Sequence, residues 1–171
     1  MTLFRIIFVF TCFLLPFWSS ANKANDPDFY LISKNEYQVM LDELGITANS
    51  DVNLRPSDSA DLTDGPLIQV LSPNLDDEII ESPMDIEIKF IPGISGSAVD
   101  KESLKLLYRK LIIKKDITDD VLARAEFSDN TLVLKGARLP SGKHTLEVVV
   151  RDELKNESSK RISVKVEDIE Q

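Results

Sequence analysis

Cysteine, histidine and tryptophan each occur once in this chain of 171 residues, as Cys12, His144 and Trp18. A single cysteine cannot close a disulfide within the chain. One cysteine and one histidine also fall short of the ligands that a structural zinc site requires. We therefore expect a fold that is held together by burial of apolar side chains, without metal or disulfide cross-links.

Positive charge is also scarce, because 20 lysines and arginines face 29 aspartates and glutamates, giving a net charge of −9. Binding to nucleic acid is favoured by positive surface, since each phosphate contact releases a counterion. The balance therefore argues against a nucleic-acid partner. It suits a soluble protein of a periplasm or of the extracellular space.

Residues 1–21 have the pattern of a secretory signal peptide. Arg5 supplies the positive start, residues 6–18 are uncharged and mostly apolar, and Ser19-Ser20-Ala21 provides the small residues of a cleavage site. A membrane-spanning helix needs about 20 apolar residues, more than this run contains. We predict cleavage after Ala21, export to the periplasm or beyond, and a mature protein with no integral membrane anchor.

Residues 22–46 predict one short amphipathic helix, covering 34–44. Ser33 and Glu36 have the spacing of a capping box, and Gly45 suits the left-handed residue that ends a helix. Apolar side chains follow at positions i, i+3, i+4 and i+7 and would form one face. They are Tyr37, Met40, Leu41 and Leu44.

Residues 47–65 have few apolar residues and four aspartates, so their composition predicts a flexible acidic linker. From residue 66 to about 168 the pattern changes to period two, and MDIEIKF at 84–90 alternates without a break. Alternation with period two places one side of a strand on a core and the other in water. Runs of this kind, separated by turn residues over roughly 100 positions, predict an all-β sandwich.

The stretch LKLLYRKLII at 104–113 does not fit this rule by itself. Its apolar residues also have helical spacing, and Asp100 could cap such a helix. The local pattern therefore leaves a strand pair and an amphipathic helix open.

The segment from Pro66 to Val166 resembles the Ig-like domains of bacterial surface and exported proteins. IQVLSP at 68–73 is similar to their first strand, VDKESL at 99–104 to the entry into their third strand, and DIT at 116–118 to a turn. LPSGKHTLEVVVRD at 139–152 is similar to their penultimate strand. The resemblance implies a single Ig-like antiparallel β-sandwich of about seven strands, in which 103–113 forms strands.

Two departures from the family pattern are visible. The Cys–Trp–Cys core of antibody domains is missing, and Lys155 stands where such domains often carry glycine before Asn156. We expect the last turn to be affected. Ig-like sandwiches serve many binding and structural roles, so the resemblance implies no particular ligand.

The most distinctive surface predicted from the sequence is basic. Five cations fall within eleven residues of an otherwise acidic chain, interleaved with apolar residues. On a hairpin they would form either a docking edge for an anionic partner or an edge whose lysines prevent aggregation. These residues are Lys105, Arg109, Lys110, Lys114 and Lys115. The helix face of Tyr37, Met40, Leu41 and Leu44 has two alternatives also, docking on its own sandwich or on a partner.

Other side chains give no credible active site. His144 has no nucleophile and acid placed around it, and we interpret it as a solvent-facing strand residue beside a turn. The aspartates at 116–120 and the acids at 76–78 lack the spacing of a calcium loop. We predict no cofactor and no enzymatic activity. The predicted function is an exported binding or adaptor module of the bacterial cell envelope, with an unknown envelope protein or anionic polymer as partner. The alternative is a structural spacer or assembly subunit that pairs through a free sheet edge.

Overall fold

A computed structural model of the chain describes residues 29–48 and 64–168. The predicted signal peptide and most of the predicted linker lie outside these residues. No helix among the described residues combines the length and the apolar character that crossing a membrane requires.

The predicted N-terminal helix is present as α1, Lys34–Leu44. Its capping box is confirmed, because Glu36 N donates to Ser33 Oγ at 3.2 Å and Ser33 N donates to Glu36 Oε2 at 3.1 Å. Gly45 ends the helix with a φ of 61°, in the left-handed region that glycine adopts without steric cost.

Nine strands and one further short helix follow among the described residues. The stretch 104–113 is a strand pair, as the family resemblance implied, and burial from Leu104 to Lys110 alternates except at Leu107, which is also buried. The elements are β1 Leu67–Ser72, β2 Ile80–Ser82, β3 Met84–Ile91, β4 Val99–Lys110, β5 Ile113–Asp116, α2 Thr118–Leu122, β6 Glu126–Ser128, β7 Thr131–Ala137, β8 Gly142–Asp152 and β9 Glu157–Asp168. The count exceeds the predicted seven because β2 and β6 have only three residues each, too few to produce a detectable alternation.

The strands form two sheets, in the orders β1-β3-β7-β6 and β2-β9-β8-β4-β5. All pairings are antiparallel except that of β2 with β9. The first order is that of strands A, B, E and D in an Ig domain, and β9-β8-β4 is that of G, F and C. The all-β, Ig-like sandwich predicted from the sequence is therefore confirmed.

The core between the sheets is built from the alternating apolar residues. Burial along β3 alternates without a break, and Ile88, Val148 and Val166 are almost completely buried. Fully burying one aliphatic side chain contributes about 1.5–3 kcal/mol, so a core of this size can replace the missing disulfide.

Residues 29–48 pack on one end of this sandwich. Phe29, Ile32 and Tyr37 are buried in the same apolar cluster as the strands. The backbone is fastened as well, since Leu31 N donates to Arg138 O at 3.0 Å and Arg138 N donates to Phe29 O at 2.9 Å. We call residues 29–48 the N-terminal cap.

The turn before β9 accommodates the lysine that replaces the family glycine. Lys155 has a φ of 69°, within the region that favours glycine. The buried Asp152 carboxylate accepts from Asn156 N at 2.8 Å and from Asn156 Nδ2 at 2.9 Å. The backbone therefore keeps a glycine-type turn, and the lysine bears its conformational strain.

Candidate functional site

Strands β4 and β8 give the five-stranded sheet two chemically different faces. Tyr108 and Lys110 on β4 point to the inner face, whereas Lys105 and Arg109 point outward. On β8, His144 is on the inner face and Glu147 on the outer one. The alternation of side chains along a strand fixes these assignments.

The middle of the outer face carries cations from four strands. We call this surface the cationic face and define it by Lys105, Arg109, Lys114, Lys143, Arg161 and Lys165. The acidic side chains among them are Glu147 and Asp116. Toward the two ends of the outer face, the same register adds Arg151 and four acids, Asp100, Glu157, Glu167 and Glu81, so the excess of cations belongs to the middle of the face.

Glu147 lies at the centre of the cationic face. Its Oε2 accepts from Arg109 Nη1 at 2.7 Å, its Oε1 lies 3.3 Å from Arg161 Nε, and Lys114 Nζ is 4.0 Å away. Burial opposes the charge on Glu147, but the hydrogen bonds and charges of Arg109 and Arg161 outweigh it and hold the pKa of Glu147 below its usual range. One carboxylate is therefore shared among three cations.

Two pairs of cations stand directly opposite each other on neighbouring strands. Arg109 of β4 pairs in register with Lys114 of β5, and Lys143 of β8 pairs with Lys165 of β9. Like charges in directly opposed positions destabilise a sheet. In the first pair the Glu147 carboxylate offsets this repulsion, because its Oε2 lies 2.7 Å from Arg109 Nη1 and 4.0 Å from Lys114 Nζ.

Hydroxyl groups lie between the two like-charged pairs. Thr145 is the register partner of both Arg109 and Ser163, and its Oγ1 is 3.2 Å from Ser163 Oγ. Hydroxyls can donate to an anionic oxygen as well as to each other. The face therefore offers cationic and neutral donors side by side.

Of the five predicted basic residues, the structure places three together on the cationic face. Lys105, Arg109 and Lys114 are on it, and the side chain of Lys114 is 52% exposed. The interpretation of Lys110 as a contact residue is wrong, because Lys110 is only 4% exposed and points to the inner face. Lys115 also lies on that side, where its Nζ is 2.6 Å from Glu36 Oε1 of α1.

The sequence reasoning missed Lys143, Arg161 and Lys165 as members of this surface. They come from strands that are separated from the basic hairpin along the chain by about 30 to 50 residues. A signal was present in the alternation of β8 and β9, where these residues occupy polar positions. Combining it with the hairpin required the strand order, which a single sequence does not provide.

The predicted helix face lies against the protein's own sandwich. Tyr37 and Leu41 are buried, while Met40 and Leu44 are half-buried. Of the two alternatives for this helix face, the structure shows the first, in which it docks on the protein's own sandwich.

Lys110 is the polar centre of the contact between the cap and the sandwich. Its Nζ donates to Tyr37 Oη at 3.2 Å, to the Ala48 carbonyl at 3.2 Å and to the Lys143 carbonyl at 2.9 Å. Burial lowers the pKa of Lys110 and raises the pKa of Tyr37 to about 12. Three acceptors satisfy the three protons of an ammonium group.

His144 is beside Lys110 on the inner face. The interpretation of His144 as solvent-facing is wrong, because it is 1% exposed and lies between Tyr37 and Tyr108. The alternation of Leu146, Val148 and Val150 along β8 continues back to His144 on the inner face, and the N-terminal cap, which the sequence of β8 does not show, buries it there. Burial lowers the pKa of His144 to about 4, against the hydrogen bond with the Pro140 carbonyl and with help from the positive charge of Lys110.

The acidic clusters noted in the sequence are used in local turns. Asp116 Oδ1 accepts from Thr118 N at 3.0 Å, and Asp77 Oδ1 accepts from Asn74 Nδ2 at 2.9 Å. Within residues 29–48 and 64–168, no group of three or more His, Cys, Asp or Glu side chains is placed to hold a metal ion.

Comparison with known proteins adds fold-level similarity only. No family model matches the chain, and no curated protein matches its sequence. CopC from Methylosinus trichosporium OB3b is 14% identical, with a TM-score of 0.36 over 56% of this chain and 87% of that one. Murine CRIg is 13% identical, with a TM-score of 0.34 over 61% of this chain and 98% of that one.

The fibronectin(III)-like modules of Clostridium thermocellum CbhA are 19% identical, with a TM-score of 0.34 over 60% of this chain and 47% of that one. Identities and scores this low give no information on ligand or activity. The assignment of the sandwich as Ig-like therefore rests on its own strand order.

Proposed function

We propose that this chain is an exported, non-enzymatic binding module of the bacterial cell envelope that holds an anionic polymer on its cationic face. The observation that carries the proposal is the group of three cations, Arg109, Lys114 and Arg161, around the single carboxylate of Glu147. An anionic ligand would bring negative charge to cations that outnumber their one shared carboxylate.

The shape and composition of the face favour a polymer over a folded protein. Protein interfaces depend on buried aromatic or apolar anchors at their centre. The centre of the cationic face holds Glu147 with its cations and the Thr145–Ser163 hydroxyl pair. Charges spread over four strands suit a chain of repeating carboxylates, which can cross the sheet and meet several cations in turn.

The experiment measures retention of the protein on immobilised polygalacturonate, a carboxylate polymer, with neutral dextran as the reference surface. The test variant is Lys105→Glu with Lys165→Glu, which reverses two cations at opposite ends of the face. The matched control is Lys89→Glu with Lys135→Glu, which reverses two exposed lysines of the other sheet. Both variants change the net charge equally.

We expect the test variant to lose roughly tenfold or more in affinity, which corresponds to about 1.4 kcal/mol, and the control to stay within a factor of about two or three of the parent. Affinity should fall with added salt, because exposed charges are screened. Equal retention of the two variants would overturn the proposal. Binding to an acidic protein but not to polygalacturonate would assign the face to a protein partner.

A second candidate function is a structural subunit that pairs through a sheet edge. β9 has 12 residues, and on its edge away from β8 only its last three residues pair, with β2. An extended strand from another chain could add along the earlier residues of this edge. Light scattering would then give a mass that rises with concentration, and Ser163→Pro would abolish the rise.

A further inference from the structure

The N-terminal cap is held on the sandwich by two buried groups that can change charge, Lys110 and His144. Lys110 bonds directly to the cap through Tyr37 Oη and the Ala48 carbonyl. The ring of His144 lies 4.8 Å from the ring of Tyr37, measured between centroids. The cap therefore contacts the sandwich at two buried groups, Lys110 and His144, whose charge depends on pH.

The hydrogen bonds of His144 determine its protonation state. Nε2 is 2.7 Å from the Pro140 carbonyl oxygen, which can only accept, so Nε2 carries a proton. Nδ1 is 2.9 Å from Tyr108 Oη, and in the neutral ring Nδ1 accepts the tyrosine proton. A second proton on the ring would occupy Nδ1 and reverse this bond. The hydroxyl proton of Tyr108, a fully buried residue, would then need a new acceptor.

The charged and titratable groups around His144 oppose its protonation. Lys110 of β4 already carries a positive charge on the same side, while Tyr37 of α1 and Tyr108 of β4 are phenols that stay neutral as the pH falls. Lys115 of β5 is paired with Glu36 of α1 at the edge of the cap. An imidazolium here would face a like charge in a buried site, which is strongly unfavourable.

The cap is the part of this contact that can move. β8 is paired on both sides over most of its length, with β4 and with β9. The cap has an 11-residue helix, which is marginal in water by itself, and three backbone bonds to the sandwich, two with Arg138 and one from Lys143 N to the Ala48 carbonyl. Separation of the cap would open the end of the sandwich to water and remove the burial of His144.

We propose that the N-terminal cap is an acid-released segment, with His144 as the group whose protonation separates it from the sandwich while the two sheets remain folded. Release exposes the apolar helix face of Tyr37, Met40, Leu41 and Leu44, together with the inner ends of β4 and β8. The mechanism is independent of the cationic face, which lies on the other side of the sheet.

The experiment is hydrogen–deuterium exchange of the mature chain at pH 7.0, 5.5 and 4.5, read by peptide as protection factors corrected for intrinsic exchange rates. The His144 pKa is lowered in the closed state, so closure is favoured above the ordinary pKa and weakens as the pH falls toward the lowered value. Protection of residues 29–48 should therefore drop by up to about tenfold per pH unit below about pH 6.5, while β8 and β9 stay protected.

The His144→Gln variant separates the effect of protonating residue 144 from the effect of its packing and hydrogen bonds. Its amide can donate to the Pro140 carbonyl and accept from Tyr108, but it cannot be protonated in this range. We expect the cap of this variant to keep its protection at pH 4.5. Thr145→Ala, the next residue on the same strand and on the outer face, should behave like the parent.

Three results would overturn the proposal: joint loss of protection by the cap and β8–β9, no change of the cap with pH, or the same pH dependence in His144→Gln. If that variant does not fold, NMR titration of the parent's single histidine replaces it. A ring that titrates near pH 6.5 without shifts in residues 29–48 would equally reject the mechanism.

Discussion

Arg109 and Lys110 are neighbours on one strand, yet their cationic groups serve opposite surroundings. Arg109 lies on the outer face and shares the Glu147 carboxylate with Lys114 and Arg161. Lys110 is buried on the inner face and donates to three oxygens of the cap and of β8. Basic residues that are clustered in the sequence therefore have two separate roles, in which Lys110 stabilises the contact with the cap and Arg109 contributes to the charge of the outer face.

The contrast between Arg109 and Lys110 shows that the density of charged residues along a sequence is a poor measure of charge density on a sheet face. Alternation divides consecutive residues between two faces, and pairing then brings together residues that are far apart in sequence. Lys165 joins the face of Arg109 although 55 residues separate them in the chain. The surroundings of Lys110 depend on the cap, because the cap supplies two of the three oxygens that accept its hydrogen bonds.

The largest expected effect comes from removing the buried lysine. Lys110→Met keeps the length of the side chain but leaves the Tyr37 hydroxyl and two carbonyls without their charged donor, so the free energy of unfolding should fall by about 3 kcal/mol. Lys105→Met, the outward-facing counterpart on the same strand, should change it by less than about 0.5 kcal/mol. Urea denaturation measures both, and similar losses would remove the distinction between the faces.

The pH dependence of stability should also separate the faces. The folded-state pKa of His144 is about 4, below the ordinary value of 6.5, so its contribution is complete above pH 6.5 and is lost as the pH falls toward 4. The loss amounts to about 3 kcal/mol. The lowered pKa of Glu147 acts in the same direction but at lower pH, below the ordinary carboxyl range. Urea denaturation midpoints between pH 7 and 4 should fall in the parent and stay nearly constant in His144→Gln.

Glu147→Gln tests the centre of the outer face. Three cations would lose their shared carboxylate, and the free energy of unfolding should fall by about 1–2 kcal/mol. Retention on polygalacturonate should rise, because the face gains one net positive charge. A variant that is both less stable and less well retained would contradict the assignment of this face to an anionic ligand.

Lys165→Ala should have the smallest effect on stability and the opposite sign. It relieves the opposition with Lys143, so the free energy of unfolding should rise by a few tenths of a kcal/mol at low salt. Retention on the polymer should nevertheless decrease. Improved stability with unchanged retention would indicate that this end of the face is not used.

The fold could be predicted from the sequence because most of its strands and its first helix are marked by patterns of neighbouring residues. MDIEIKF at 84–90 alternates in the letters themselves, and the capping box and Gly45 mark both ends of α1. The strand assignment at 104–113 required the family resemblance, since the local spacing allows a helix as well. The three-residue strands β2 and β6 left no pattern to detect.

The candidate site was only partly accessible. Lys105, Arg109 and Lys114 were found from their density, whereas Lys143, Arg161 and Lys165 required the strand order. The surroundings of Lys110 and His144 depend on a segment more than 60 residues earlier in the chain, whose docking no local pattern encodes. The errors at these two residues have the same cause.

The position of the cap has a consequence for the order in which the protein assembles. Tyr37 leaves the ribosome early, but its hydrogen-bonding partner Lys110 comes 73 residues later, and the ring of His144 comes later still. The apolar face of α1 must therefore remain uncovered until β8 has been synthesised. A factor that accompanies the nascent or translocating chain would meet this helix first, and the completed sheet would later displace it from that helix.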